Sequence, residues 1–222
     1  MGRWRTNRSH PPRPPDGFDL AMHPGVYETV LDWIPDGARV LDLGTGDGAF
    51  LERVVRVKHA VAEGVEKRPE LVAGCIQRGL VVHQGNIAEG LDQYGDHSFD
   101  YVLLLGTFQE LISPAEILRE AFRVGARVIV AYTNFAYYRV RLQIMFRGRT
   151  PVTKSLPQPW YRTANLHFLS LLDFHDFCRE MGVTGIRDAC FTARGKVEFL
   201  PNLFAEEVVT LLEPARPQRE TS

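Results

Sequence analysis

Apolar residues along this chain fall into two patterns that alternate. Compact runs at Ala38–Leu43, Val61–Val65, Leu80–His83, Phe99–Leu105 and Ala126–Tyr132 are too short for helices and predict strands. Between and around them, apolar residues recur three and four positions apart, which predicts helices at His23–Ile34, Ala49–Val57, Pro69–Arg78, Pro114–Phe122, Phe135–Phe146 and Ser170–Met181. Two further β-like runs, Val183–Phe191 and Glu207–Leu212, have no helix between them. Short apolar strands alternating with helices imply an α/β fold with a doubly wound sheet covered on both faces. That sheet is mostly parallel, and the last two runs fit an antiparallel pair closing its edge.

The length of 222 residues suits one domain of this kind, placed at 18–213. Residues 1–17 mix Arg3, Arg5, Arg8 and Arg13 with Pro11, Pro12, Pro14 and Pro15 and are expected to form a disordered arm. Residues 214–222 are expected to be a polar tail. Lys and Arg total 26 against 27 Asp and Glu, a formal charge of -1, so no global field attracts nucleic acid or an anionic membrane. Four arginines in a proline-rich arm fit a solvated terminus better than a nucleic-acid contact. No run approaches the ~20 apolar residues of a membrane span, and no apolar secretory segment opens the chain. Cys75, Cys178 and Cys190 are odd in number and lack metal-ligand spacing, so they read as free thiols and no metal site is expected. The expected address is cytoplasmic.

Candidate chemistry centres on the segment that follows the first strand, Asp42-Leu43-Gly44-Thr45-Gly46-Asp47-Gly48. Its glycines permit a tight turn and close approach of a ligand to the backbone, but the same spacing satisfies the looser dinucleotide fingerprint. Charge separates the two. A pyrophosphate sits against a helix N-terminus, yet here Asp42 and Asp47 flank the loop and no Lys or Arg lies between Val40 and Glu52. A ligand with sulfonium and ammonium groups and no phosphate suits these residues better, which points to S-adenosylmethionine, or to its demethylated product S-adenosylhomocysteine that keeps the ammonium, and to the class I methyltransferase (Rossmann-like) version of the fold. Asp47 also suits a helix cap. Glu66, ending the second strand, is placed to accept hydrogen bonds from a ribose diol. Asn86 and Ile87, after the third strand, are placed to meet an adenine, with the Asn86 carbonyl accepting from the exocyclic amine.

Two other regions carry candidates. Trp160, Tyr161, Asn165 and His167 lie in an irregular segment expected to serve as a lid or substrate contact. In the helix Phe135–Phe146, spacing sends Phe135, Tyr138, Leu142 and Met145 to the core and Arg139, Gln143 and Arg147 to the opposite side. That side is either a solvated basic face or a docking patch, to which Arg141, Arg149 and Lys154 add charge.

From about Phe18 to Glu213 the sequence resembles the MetW family of bacterial methionine-biosynthesis proteins. The resemblance is carried by Arg39-Val40-Leu41-Asp42-Leu43-Gly44, by Asn134-Phe135 through Arg139-Val140-Arg141-Leu142-Gln143, by Arg147-Gly148-Arg149-Thr150-Pro151-Val152-Thr153-Lys154 and by Trp160 through His167. It implies a role with homoserine O-acyltransferase, as partner or activator, docked through Arg139, Arg141 and Arg147. Departures from the family pattern are Thr45 in place of the usual Cys, Asn86 in place of Asp, and the run Gly106-Thr107-Phe108-Gln109-Glu110. No acid/base pair or nucleophile stands out, so the catalytic residues stay unassigned. Methyl transfer depends chiefly on proximity and orientation, and an independent small-molecule methyltransferase therefore remains the alternative.

Overall fold

The computed structural model describes residues 22–214; the expected arm and the tail beyond Pro214 lie outside the described residues. Strands β1 (Arg39–Leu43), β2 (Val61–Glu66), β3 (Val81–Gln84), β4 (Phe99–Leu105), β5 (Gly125–Thr133), β6 (Val183–Thr192), β7 (Gly195–Lys196) and β8 (Glu207–Pro214) form one sheet in the order β3-β2-β1-β4-β5-β8-β6-β7. The strands from β3 to β5 pair in parallel. The last two long runs pair antiparallel as expected, β8 slotting between β5 and β6 and opposing both. Helices α1 (Pro24–Trp33), α2 (Ala49–Lys58), α3 (Pro69–Gln77), α4 (Pro114–Val124), α5 (Tyr138–Arg147), α6 (Leu171–Glu180) and α7 (Pro201–Phe204) complete the described fold.

Alternation of side chains along the strands builds a core on each face. Val102 and Leu104 of β4 and Val128, Val130 and Tyr132 of β5 pack with Phe174 of α6. Their neighbours in sequence, Tyr101, Leu103, Ile129 and Ala131, point the other way and pack with Val26 and Val30 of α1 and Leu51 and Val54 of α2. Each large aliphatic side chain removed fully from water stabilises by roughly 1.5–3 kcal/mol. Ser170 starts α6 through a capping box with Asp173, which satisfies backbone N–H groups that the first turn leaves unpaired. Strand order reverses between β1 and β4, and the carboxyl ends there border a crevice, the place where open α/β sheets bind ligands.

The helix expected at Phe135–Phe146 is shorter and turned differently. It starts at Tyr138 because Asn134, fully buried, holds the preceding turn. The Asn134 amide donates to the carbonyls of Asn202 and Ala205 and its Oδ1 accepts from Ala136 N–H. Tyr137, at the N-cap of α5, and Val140 are buried with Leu156, and Phe135 and Tyr138, expected inside, pack against them partly buried. Leu142 and Met145, expected inside, are 42% and 65% exposed. Val140 is the buried residue of α5, so periodicity identified an apolar side but not how far along the helix that side is covered.

Candidate functional site

The glycine turn is held open by backbone geometry. Gly44 has φ +86°, and a Cβ there would sit 2.4 Å from Thr107 Oγ1. The N–H groups of Gly44 and Thr45 both donate to the Val65 carbonyl at 2.8 and 3.1 Å, which ties the turn to β2. Thr45 Oγ1 is buried and has no hydrogen-bond partner among the described residues. Glu66 at the end of β2 is 4% exposed, not a solvated strand end. Its Oε2 accepts from Gly46 N–H at 3.1 Å, and its Oε1 accepts from the N–H and Nε of Arg68 at 2.9 and 3.1 Å.

These groups border a cleft of about 480 Å³, within the size range of small-molecule sites. Gly44, Gly46, Glu66, Asn86 and Ile87 line it on one side, Thr107 and Glu110 on the other. An adjoining lobe of about 280 Å³ takes in Asp42, Thr45 and Asp47 and shares Tyr27 and Leu105 with the cleft. Gly48 lines neither space; it begins α2, where a Cβ would lie 2.9 Å from Cys75 Sγ. Asn86 Oδ1 accepts from Ala88 N–H at 3.1 Å and so starts the short turn that carries Ile87.

The charge balance differs from that of the loop sequence alone. Asp47, one residue before the Gly48 N-cap of α2, accepts from the first helical N–H, that of Ala49, at 3.0 Å and pairs with Arg78 at 3.2 Å. Arg78 arrives from the end of α3, 31 positions away, and also holds Glu52 at 2.7 Å. Arg53 lines the smaller lobe, and Lys67 and Arg68 line the larger. The two spaces are thus bordered by the carboxylates Asp42, Asp47, Glu66 and Glu110, of which Asp47 and Glu66 each pair with an arginine.

Gln109 and Glu110, in a short turn after β4, are the functional candidates that pattern reading passed over. Gln109 is buried; it accepts from Thr133 N–H at 2.9 Å and donates to the Thr133 carbonyl at 3.2 Å. Its backbone carbonyl accepts from the N–H groups of Leu166 and His167, so it anchors the irregular segment beside the cleft. His167 completes that anchor, its Nε2 bonded to the Leu111 carbonyl at 2.8 Å, which makes it a positioning residue. Asn165 is buried in the same segment, whereas Trp160 and Tyr161 are 68% and 57% exposed. Burial pushes the Glu110 carboxyl above its ordinary range, as does Glu66, while Lys67 and Arg68 oppose the shift. All three thiols are free and buried; burial and nearby carboxylates push Cys75 up to about 11 and Cys178 and Cys190 up to about 12.

Arg139 and Arg147 line a separate groove of about 570 Å³ with Leu142, Gln143, Phe146 and Lys154. Basic and apolar side chains thus share one face instead of opposing each other. Arg141 lies off the groove, its Nε bonded back to the Ala136 carbonyl.

Residues 25–212 match the sequence model of the family described as Methionine biosynthesis protein MetW. The chain belongs to the MetW family. The bifunctional methionine biosynthesis protein MetXA/MetW of Rhodopirellula baltica is 31% identical to this MetW chain over 191 residues, 82% of the chain and 30% of that protein. The chain thus spans under a third of the length of that curated relative. A SAM-dependent methyltransferase from Thermotoga maritima superposes with a TM-score of 0.64 at 20% identity, covering 86% of this chain and 88% of the other. Phosphoethanolamine N-methyltransferase 2 of Haemonchus contortus, solved with S-adenosyl-L-methionine, gives 0.63 at 12% identity, covering 86% and 52%. These likenesses establish a class I SAM-dependent methyltransferase fold. Among the described residues, no helix is long and apolar enough to cross a membrane.

Proposed function

We propose that this MetW protein binds S-adenosylmethionine or S-adenosylhomocysteine in the cleft and acts in the cytoplasm as a partner that raises the activity of homoserine O-acyltransferase. The observation that carries the partner role is the Rhodopirellula relative, in which MetXA and MetW portions share one polypeptide. The cofactor role rests on the glycine floor, the unpartnered Thr45 hydroxyl and the buried carboxylates of Asp42 and Glu66. Glu66 would hold the ribose, Asn86 and Ile87 would border the adenine, and Asp42 would face the ammonium-bearing end. Bound S-adenosylmethionine supplies an electrophilic methyl group. A carboxylate has about four lone-pair sites and Glu66 uses three on protein donors, so full engagement of a diol requires Arg68 to swing aside. Calorimetry with S-adenosylhomocysteine and NAD tests this. Equal affinity for both, or no heat with either sulfur ligand, overturns it.

The docking surface is the α5 groove. Phe146 and Leu142 are 75% and 42% exposed beside Arg139 and Arg147, the mix of apolar and arginine contacts that protein interfaces favour. Co-expression with the acyltransferase, followed by pull-down and acyl-transfer assay, is the test. Joint Arg139→Glu and Arg147→Glu substitutions should slow association, whereas Arg141→Glu, off the groove, should not. No complex and unchanged acyl transfer overturn the partner role. The alternative, independent methyl transfer to a small molecule, is favoured by one observation, the Glu110 carboxylate in the cleft wall, which can take a proton from an acceptor.

A further inference from the structure

Beside the cleft lies a smaller cavity of about 160 Å³, and Glu110 and Ala164 line both spaces. Leu156 and Phe168 give it apolar walls, and the side chains of Glu110, Arg162 and Asn165 interrupt them. None of these three side chains has a hydrogen-bond or ion-pair partner among the described residues; Arg162 lies over the Tyr161 ring at 5.7 Å. A carboxylate, a guanidinium and an amide facing one small space complement a molecule that carries both charges. A dicarboxylate would meet Glu110, and a polyamine would meet Arg162.

We propose that this cavity binds a small zwitterionic α-amino acid, with its ammonium on Glu110, its carboxylate on Arg162 and Asn165 bonding between them. Size limits the ligand: the cavity holds about five waters at ~30 Å³ each, which admits short side chains only. Glu110 is half-buried, and a carboxylate with part of its water removed gains more from a bound cation than a fully exposed one does. The site is also preformed. Gln109 clamps Leu166 and His167 through its backbone and the end of β5 through its side chain, so the segment carrying Asn165 needs no ordering when a ligand arrives. Because Glu110 is shared, the amine of the ligand lies on the cleft side.

This proposal stands apart from the cofactor reading, and the experiment keeps the two distinct. The full chain is titrated calorimetrically with 2-aminobutyrate, and with propylamine and butyrate as ligands of single charge, each with and without saturating S-adenosylhomocysteine. The expected result is saturable binding of 2-aminobutyrate in both conditions, at least about tenfold tighter than either single-charge ligand. Glu110→Gln and Arg162→Gln should each weaken it by at least about tenfold while circular dichroism stays unchanged. Arg162→Gln, at an exposed position, gives the reading even if Glu110→Gln fails to fold. Absence of binding by the wild type, displacement by S-adenosylhomocysteine, or wild-type affinity in Arg162→Gln overturns the proposal. S-adenosylhomocysteine heat without amino-acid heat removes this site alone; the reverse supports it and removes the cofactor reading.

Discussion

Replacing Glu66 with alanine acts on two quantities that can be measured separately. In the free protein the substitution strands Gly46 N–H, a donor in a buried turn whose only described acceptor is Glu66 Oε2 at 3.1 Å. Leaving such a donor unpaired costs about 1–3 kcal/mol. For a domain of this size each kcal/mol shifts the melting temperature by ~2–4 °C, so the free variant should melt roughly 2–12 °C lower. Arg68 adds little, since its side chain is 33% exposed and water replaces the lost acceptor. The second quantity is affinity for S-adenosylhomocysteine, which should fall at least about tenfold if the carboxylate holds the ribose. Differential scanning calorimetry reads the first and titration at a temperature where both proteins are folded reads the second. An unchanged melting temperature refutes the Gly46 contact; an unchanged affinity in a folded variant refutes the ribose placement.

Arg68→Ala should tighten S-adenosylhomocysteine binding, because it removes the donor that competes for Glu66 Oε1; weaker binding in the same titration would show that Arg68 belongs to the ligand site. The raised Glu110 carboxyl contributes stability that is complete below its ordinary range and is lost as pH rises through the folded value, so Glu110→Gln should raise the melting temperature near neutral pH and matter little in acid. Equal shifts at both pH values would contradict the burial argument. Gly44→Ala should cost about 2–4 kcal/mol in urea unfolding, from left-handed backbone strain plus the overlap with Thr107; a loss under about 1 kcal/mol would mean the turn can relax. The three thiols should resist a disulfide reagent at mildly alkaline pH in the native state and react when unfolded, since burial keeps them protonated.

Strands and their order of appearance were legible because a sheet buried on both faces demands continuous apolar runs, and β4 was read at Phe99–Leu105 to the residue. The glycine turn was legible because Gly44 needs a positive φ that few other residues tolerate. Contacts between distant positions were not. Nothing near Asp47 announces Arg78, and nothing near Gln109 announces Thr133 or His167. Glu110 escaped notice because it sits in a single short turn, where no periodicity exists to mark a side as buried. On α5, Phe135 and Tyr138 pack as expected but Leu142 and Met145 do not, because helical spacing reports which residues share a side and is silent on how far along it anything packs.

The insertion of β8 between β5 and β6 leaves β6 joined to β5 only through a strand made later than both. Two strand spacings, roughly 9–10 Å, separate β5 from β6, so no hydrogen bond can join them until β8 fills the gap. The Arg127–Glu213 pair that accompanies the β5–β8 ladder closes a loop of 86 positions. Such distant pairing is slow, since the chain surrenders its freedom before the contact rewards it. On the ribosome, the parallel half of the sheet and its cleft can form, with α6 packed on β5 through Phe174 and Tyr132, while β6 still waits for the strand that joins it to β5. A chain stopped before Glu207 would expose the open flank of β5, a row of unpaired backbone groups that invites pairing with other chains.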